Sequence, residues 1–416
     1  MFYITTYILN KHLKCTSKMK FLLLNGHGIQ FRVEKAKIII IDGRYSTNEE
    51  PQEYVFRPKR LPYDHIVIYG RSGEISIEAI RWLIKHNVAI TILNWDGKLL
   101  TSILPSESVQ VKTKFSQYSS YRDSELRLEL AKKFIEAKFI RSKILLEWLK
   151  SRYPKIDYDF SSEEENLDNA STMKEIMLAE ARVGLNYWRE LIKVFPKSYE
   201  FDKRQYSDTP YGASDKINCM LNYGYAILEA ECLRAINIVG LDPHVGFLHE
   251  MKIGSKSLAY DLQEPFRFLI DLAVISAIEK KKMQDRDFIR TENYNLRLRP
   301  SGAKKLMEEI TIWFNRKVKY KNKMYKWGNV LIEQTRELAH YVSGKKGTLN
   351  LSEPYFEIGR DDTEEMRKMI SDINYSEWKK LGFSKGTLHP LKQKVKEGKH
   401  FTLNKHVKER LISLNV

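Results

Sequence analysis

The hydrophobic pattern changes period along the chain. Between residues 19 and 105 the apolar positions fall in short β-branched runs: KIIIID (37–42), HIVIYG (65–70) and VAITILN (88–94). NGHG, DGR, GRSG and WDGK separate them, and these are turn sequences. One helical period interrupts the strands, SIEAIRWLIKHN (76–87), with Ser76 as its N-cap. The pattern predicts a small β domain carrying one helix.

From about residue 123 the period is 3.6. SELRLELAKKFIEAKFIRSKILLEWLKSRY (124–153) is long, amphipathic and basic. SSEEEN (161–166) reads as a solvated acidic loop or a helix start. Further helices are predicted over 171–195, 215–240, 268–281, 301–318 and 329–346, so the block 120–346 reads as all-helical. GTLNLSEPYFEIGR (347–360) breaks the period, and short helices separated by Gly382 and Gly398 follow. The expected fold is α+β and multidomain. It has an N-terminal small β domain (1–118), an all-helical domain (119–346) and a C-terminal helix-turn-helix-like domain (347–416). No internal repeat is present.

Composition narrows the class. With 416 residues, 43% of them hydrophobic, the chain suffices for two or three cores. A surplus of 70 Lys+Arg over 53 Asp+Glu, formally +17, favours a polyanionic partner, most often nucleic acid. Cys15, Cys219 and Cys232 form no CxxC pair, which argues for a reducing compartment and against a zinc knuckle. No apolar run approaches the ~20 residues of a membrane span. FLLL (21–24) is too short for a signal-peptide core, so a cytoplasmic setting is expected. Met19 is an alternative start. Without GxSxG, GxxxxGK[ST] or GxGxxG, serine-hydrolase, P-loop and dinucleotide chemistry have no support.

The candidate chemistry is carboxylates with histidine. In GFLHEMKIGSKSLAYDLQEPFRFLID (246–271), His249, Glu250, Asp261 and Glu264 interrupt apolar runs. Asp261 and Glu264, three apart, share a helical face, and Pro265 starts or kinks that helix. Glu180 is another acid within an apolar face. Buried charges need a partner or a metal. Oxygen ligands with one imidazole suit Mg²⁺ or Mn²⁺ better than structural zinc. The alternative is that each acid pairs with a nearby arginine, Glu180 with Arg182 and Glu264 with Arg267. His244 reads as turn or surface. Asn222, Tyr223 and Tyr225 read as packing groups or DNA contacts. At the C-terminus, YSEWKKLGFSKGTLHPLKQKVKE fits two helices around a turn at Gly382 with a cap at Ser384. Lys379, Lys380, Lys385, Thr387, His389, Lys392 and Lys394 are its candidate DNA contacts. Pro390 predicts that the second helix is short or begins late. The rival reading is a basic hairpin that touches only phosphates.

LNYGYAILEAECLRAINIVGLDPHVGFLHE followed by SLAYDLQEPFRFLIDLAV closely resembles the CRISPR-associated integrase family, Cas protein one. Upstream, EARVGLNYW resembles that family's helix bearing its first acid. The resemblance covers about residues 19–340. It implies a metal-dependent DNA endonuclease and integrase using Mg²⁺ or Mn²⁺. Glu180, His249 and Glu264 take the positions of the metal ligands, with Asp261 a further acidic position near the metal. Asn218 and Asn222 take polar positions close to the site. The last seventy or so residues depart from the CRISPR-adaptation members and resemble the casposases, integrases of mobile elements with terminal inverted repeats. That resemblance implies double-stranded DNA as partner (element ends and target), a homodimer or larger homo-oligomer on DNA, no membrane and no obligatory protein partner. The runner-up is a CRISPR-adaptation integrase working with Cas protein two. A non-catalytic DNA-binding protein that kept the fold is the third expectation.

Overall fold

The computed structural model describes residues 21–44, 50–94, 96–105, 110–150, 152–205, 213–290, 296–356, 358, 364–397, 401, 403, 407, 410 and 411. Cys15, Met19 and Gly398 lie outside these residues.

The N-terminal region is built from β1 (Phe21–Gly26), β2 (Ile29–Glu34), β3 (Lys37–Ile41), β4 (Glu53–Phe56), β5 (His65–Gly70) and β6 (Gly73–Ile75). Helix α1 (Ile77–Lys85), β7 (Ala89–Leu93) and β8 (Leu99–Ile103) complete it. The expected strands and helix are all present, and Ser76 caps α1 by accepting from Ala79 N. Among the described residues the strands form two four-stranded sheets, β1-β5-β7-β8 and β4-β3-β2-β6. In the first, β1, β5 and β7 run parallel, with Phe21 opposite His65 and His65 opposite Ala89. β2 and β3 join through Lys35 and Ala36, both at positive φ, as a two-residue hairpin turn requires.

Alternate residues of the first sheet face opposite ways. Leu22, Leu24, Ile66, Ile68 and Ile90 pack against the second sheet and α1. Phe21, Val67 and Leu93 join the core of the helical region. The first sheet is thus a wall shared by the two regions. A fully buried polar clamp fastens it: His65 Nδ1 lies 2.5 Å from Glu231 Oε1, and His65 Nε2 lies 2.6 Å from Thr91 Oγ1. Arg234 Nη2 donates to Glu231 Oε2 at 2.8 Å.

The middle region contains α2 (Val111–Arg122), α3 (Ser124–Lys150), α4 (Ser161–Asn169), α5 (Met173–Ile192) and α6 (Lys216–Val239). It continues with α7 (Ser257–Gln263), α8 (Arg267–Glu279), α9 (Pro300–Asn315) and α10 (Trp327–Val342). The acidic stretch 161–166 is a helix. α2 was not expected, because VKTKFSQYSSYR carries no apolar stripe; it buries Thr113, Gln117 and Ser120 instead. Gln117 Nε2 donates to Asp242 O and Val245 O, and its Oε1 accepts from Asp242 N. The region is helical but not wholly so. Two hairpins interrupt it, β9 (Phe288–Arg290) with β10 (Leu296–Leu298) and β11 (Lys317–Tyr320) with β12 (Lys323–Lys326). The second turns at Lys321 and Asn322, both at positive φ. No helix among the described residues is long and apolar enough to cross a membrane.

Leu349, Leu351 and Ile358 belong to the core of the helical region. The change of pattern at 347 therefore does not coincide with an end of packing. Beyond it, α11 (Glu364–Asp372), α12 (Tyr375–Lys380) and α13 (Lys385–Lys396) surround a small separate core of Met366, Ile370, Ile373, Trp378, Leu388, Phe401 and Leu411.

Candidate active site

Glu180 lies on α5, whose first turn is fixed by a reciprocal capping box between Thr172 and Glu175. Burial of Ile176, Ala179, Val183 and Tyr187 sets the rotation of α5. Glu180, on the edge of that stripe, then faces a cavity of about 330 Å³. Lys138, Arg141, His249, Glu264, Arg267 and Asp271 share the lining.

Glu264 enters from a different device. α7 stops at Gln263, residues 264–266 form one 3-10 turn, and α8 begins at Arg267. Pro265 causes the break, since it cannot donate into an α-helical ladder. The kink is held from behind by buried Arg141, which donates to Pro265 O, to Leu351 O at 3.1 Å and to Glu353 O at 2.9 Å. Its guanidinium lies over the rings of Phe266 and Trp327.

His249 is placed by Asp261. The Asp261 carboxylate is fully buried and accepts from the backbone N–H groups of Phe247, Leu248 and His249. It also bonds His249 Nδ1 at 2.8 Å. With Nδ1 engaged, Nε2 is the ring nitrogen left for a ligand, the arrangement that orients metal-binding imidazoles. Burial lowers the His249 pKa, but the bond and charge of Asp261 outweigh it, and the net direction is upward. Gly246 makes this packing possible, because a Cβ there would stand 2.7 Å from Asp261 Oδ2. Asp261 and Glu264 therefore do not act from one face. Asp261 lines neither cavity of the site; it meets the site through His249, whose ring it holds at Nδ1.

The residue that sequence reasoning missed is Lys138 on α3. Its Nζ bridges the two acids, in a very short contact with Glu180 Oε1 and 2.6 Å from Glu264 Oε2. The Glu264 contact is an ion pair without hydrogen-bond alignment, leaving buried Oε2 without a bonded donor. Arg267 approaches Glu264 from the other side at 3.6 Å and stacks over Tyr225 at 4.1 Å. Burial pushes the Glu264 carboxyl up, but Lys138 and Arg267 overcome it and hold its pKa at about 2. The expected Glu264–Arg267 pair is present; a Glu180–Arg182 pair is not, since Arg182 turns to Glu163 at 3.6 Å. Lys138 had a detectable signal, because it falls on the helical stripe of buried Phe134, Arg141 and Leu145.

A second cavity, of about 620 Å³, meets the first at Tyr225, His249, Glu264 and Arg267. Lys98, Arg204, Asn222, Glu229, Lys256 and Tyr260 line it. Asn222 is thus beside the site, and its Oδ1 is buried without a hydrogen bond. Asn218 lies in the interior. It is wholly buried, donates to Lys203 O and Asp215 Oδ2, and accepts from Arg204 and Gln205 N. Tyr223 and Tyr225 are core groups, and the Tyr225 hydroxyl donates to buried Asp271 Oδ1. His244 is exposed, as expected.

As the side chains stand, no three His, Cys, Asp or Glu groups among the described residues converge on one ion position. The donors nonetheless fit a hard divalent cation. Two carboxylates and an imidazole line one cavity, and the imidazole is held at Nδ1 so that Nε2 is the nitrogen left to a ligand.

In the C-terminal unit a four-residue turn, with Gly382 at φ +84°, joins α12 to α13. Ser384 is the N-cap residue, and α13 runs through Pro390 from Lys385, so the proline neither delays nor shortens it. Lys379, Lys380, Lys385, Thr387, His389 and Lys394 are exposed. Two of the predicted contacts are committed inside the unit. The Thr387 hydroxyl donates to Ser384 O and accepts from Trp378 Nε1, and Lys392 Nζ donates to Ser371 O.

The model of the family CRISPR associated protein Cas1 matches residues 22–311, about two thirds of the chain. The chain belongs to the Cas1 family. Relatives include the CRISPR-associated endonuclease Cas1 1 of Archaeoglobus fulgidus, 27% identical over 78% of this chain and 97% of its own length. The CRISPR-associated endonuclease Cas1 2 of Saccharolobus solfataricus is 30% identical over 62% of this chain and 76% of its own. Among solved structures, a casposase bound to integration product is 54% identical, with a TM-score of 0.82 over 86% of this chain and all of that one. A Cas1 protein from Thermotoga maritima shares the fold at 18% identity and a TM-score of 0.64. The family match stops at 311, so α10 and the C-terminal unit lie beyond it.

Proposed function

We propose that this Cas1-family chain is a casposase-like DNA integrase that joins the 3′-hydroxyl ends of a mobile element to target DNA. The observation that carries the reading is the likeness, at 54% identity, to a casposase captured with its integration product. Glu180, His249 and Glu264 would hold Mg²⁺ or Mn²⁺. When bound, that ion would polarise the attacked phosphodiester and offset charge on the leaving oxygen.

The chain's own groups supply the rest. Asp261 keeps His249 in one tautomer. Arg267, held over the Tyr225 ring, presents a guanidinium to a phosphate at the mouth of both cavities. Lys98, Arg204 and Lys256 make the wall of the larger cavity basic and suited to a DNA backbone. In the reaction one P–O bond forms to the attacking 3′-oxygen and one breaks in the target; the attacking hydroxyl gives up its proton to solvent, and the displaced target 3′-oxygen takes one up to become a new 3′-hydroxyl. The bond count is unchanged, so no high-energy cofactor is needed. The unit 364–416 would act as a helix-turn-helix, with α13 offering Lys385, His389 and Lys394 to the duplex.

The test gives purified protein Mn²⁺ or Mg²⁺, a supercoiled plasmid and short duplexes ending in 3′-OH. Covalent joining by the chain alone, abolished by 3′-dideoxy ends, is the expected result. Joining only after a Cas2-type partner is added would support the CRISPR-adaptation reading, which the names of the curated relatives favour. DNA binding without joining in either case would reduce the chain to a binding protein.

A further inference from the structure

α3 contributes none of the proposed metal ligands, yet its Lys138 is the charge that links Glu180 to Glu264. We propose that Lys138 is a resident counter-cation: it holds the acid pair together in the metal-free protein and must be displaced for a divalent ion to enter, so it sets metal affinity. The inference rests on reading Glu180, His249 and Glu264 as a metal site.

Two carboxylates in a largely closed cavity repel each other and lose their water. Among the described residues, Lys138 is the cation in direct contact with both acids. Arg267 reaches only Glu264, and Arg182, two residues beyond Glu180, is spent on Glu163. The ammonium stands between the two carboxylates that would hold a divalent ion. Two cations cannot share that position, because like charges within about 4 Å repel strongly where water is scarce. The lysine stem has four flexible carbons and, among the described residues, its ammonium meets no side chain but the two acids, so it can swing aside. Arg141, one turn further along α3, cannot do so, since three backbone carbonyls hold it. Once displaced, the Lys138 ammonium stays tethered to the cavity wall, where a substrate phosphate would be its next partner.

The test is titration of the full chain with MnCl₂, without DNA, followed by calorimetry and by the loss of the free Mn²⁺ resonance signal. Lys138→Met is expected to bind Mn²⁺ about tenfold or more tightly than the wild type, while Lys138→Arg, which keeps the charge, does not. In EDTA, Lys138→Met melts below the wild type, and Mn²⁺ raises its melting temperature by more. A Lys138→Met protein that folds only when Mn²⁺ is added supports the same conclusion. Affinity equal to or below the wild type, or no folded protein even at saturating Mn²⁺, overturns it. Glu180→Gln separates the two levels. If that change leaves Mn²⁺ binding intact, the metal-site reading fails. If it abolishes binding while Lys138→Met matches the wild type, only the role of Lys138 fails.

Discussion

The helical region and the C-terminal unit use charge in opposite ways. In the helical region, Glu180, Asp261, Glu264, Lys138 and Arg141 are set among apolar side chains, and each has a partner inside the protein. In the C-terminal unit, Lys379, Lys380, Lys385 and Lys394 stand in solvent around a core centred on Trp378. Chemistry needs the first arrangement, because packing must hold reacting groups to fractions of an ångström. Duplex binding needs the second, because phosphates are met at a surface and sequence is read from outside. The contrast also separates what a substitution can do. On the proposed reading, a change in the first region is expected to alter metal binding, rate or fold, and a change in the second to alter duplex affinity.

The sharpest way to break the comparison is at Glu180 or Glu264. Glu180→Gln and Glu264→Gln are each expected to reduce strand transfer by about 10³-fold or more, with duplex affinity unchanged. Gel-based joining and fluorescence anisotropy on one duplex measure both.

The clamp between sheet and helices comes next. Burial pushes the Glu231 carboxyl up, but Arg234 and His65 pull it down to about 2, below its ordinary 4.5. A depressed folded-state pKa means that the stabilisation is complete above about 4.5 and is lost as pH falls toward 2. Glu231→Gln is expected to cost about 3–5 kcal/mol near neutral pH, since it removes the charge from a fully buried carboxylate that His65 and Arg234 both engage. Its penalty should shrink in acid, which denaturant melts at pH 7 and pH 3.5 would show.

Asp261→Asn is expected to act through His249, weakening Mn²⁺ binding or activity by about 10–100-fold with the fold retained. The smallest effect belongs to the C-terminal lysines. Lys379→Ala, Lys385→Ala and Lys394→Ala should each weaken DNA binding modestly, lowering the slope of log K against log salt by about 1 where a phosphate contact is lost. Joining of an already bound end should be unchanged.

Periodicity revealed what apolar burial dictates. The strands 37–42, 65–70 and 88–94, helix α1 and the long helices all carry a stripe or a β-branched run. It did not reveal α2, whose buried face is Gln117 and two small hydroxyl residues satisfied by bonds to residues 242 and 245. It also missed the hairpins at 288–298 and 317–326, which are too short to show alternation. The acids at 180 and 264 and His249 stood out as charges where a core was being built. Lys138 carried the same signal, but it stands in a helix with several other lysines and was not singled out. Spacing could not separate Asp261 from Glu264. Their difference arises at Pro265, where one 3-10 turn sends one carboxylate to the 247–249 backbone and the other to the cavity. The boundary at 347 was drawn from a change of pattern, yet Leu349, Leu351 and Ile358 pack into the helical core, with Leu351 O and Glu353 O held by Arg141. A truncation that spares this frame must therefore begin at 364.

The most direct measurement takes three proteins: the wild type, Glu180→Gln and the chain lacking 364–416. Duplex binding and strand transfer would be read side by side in Mn²⁺. The expected result is that Glu180→Gln binds like the wild type and joins nothing, while the shortened chain binds more weakly and still joins ends supplied at high concentration. Strand transfer by Glu180→Gln at the wild-type rate would contradict the assignment of the chemistry to this cavity.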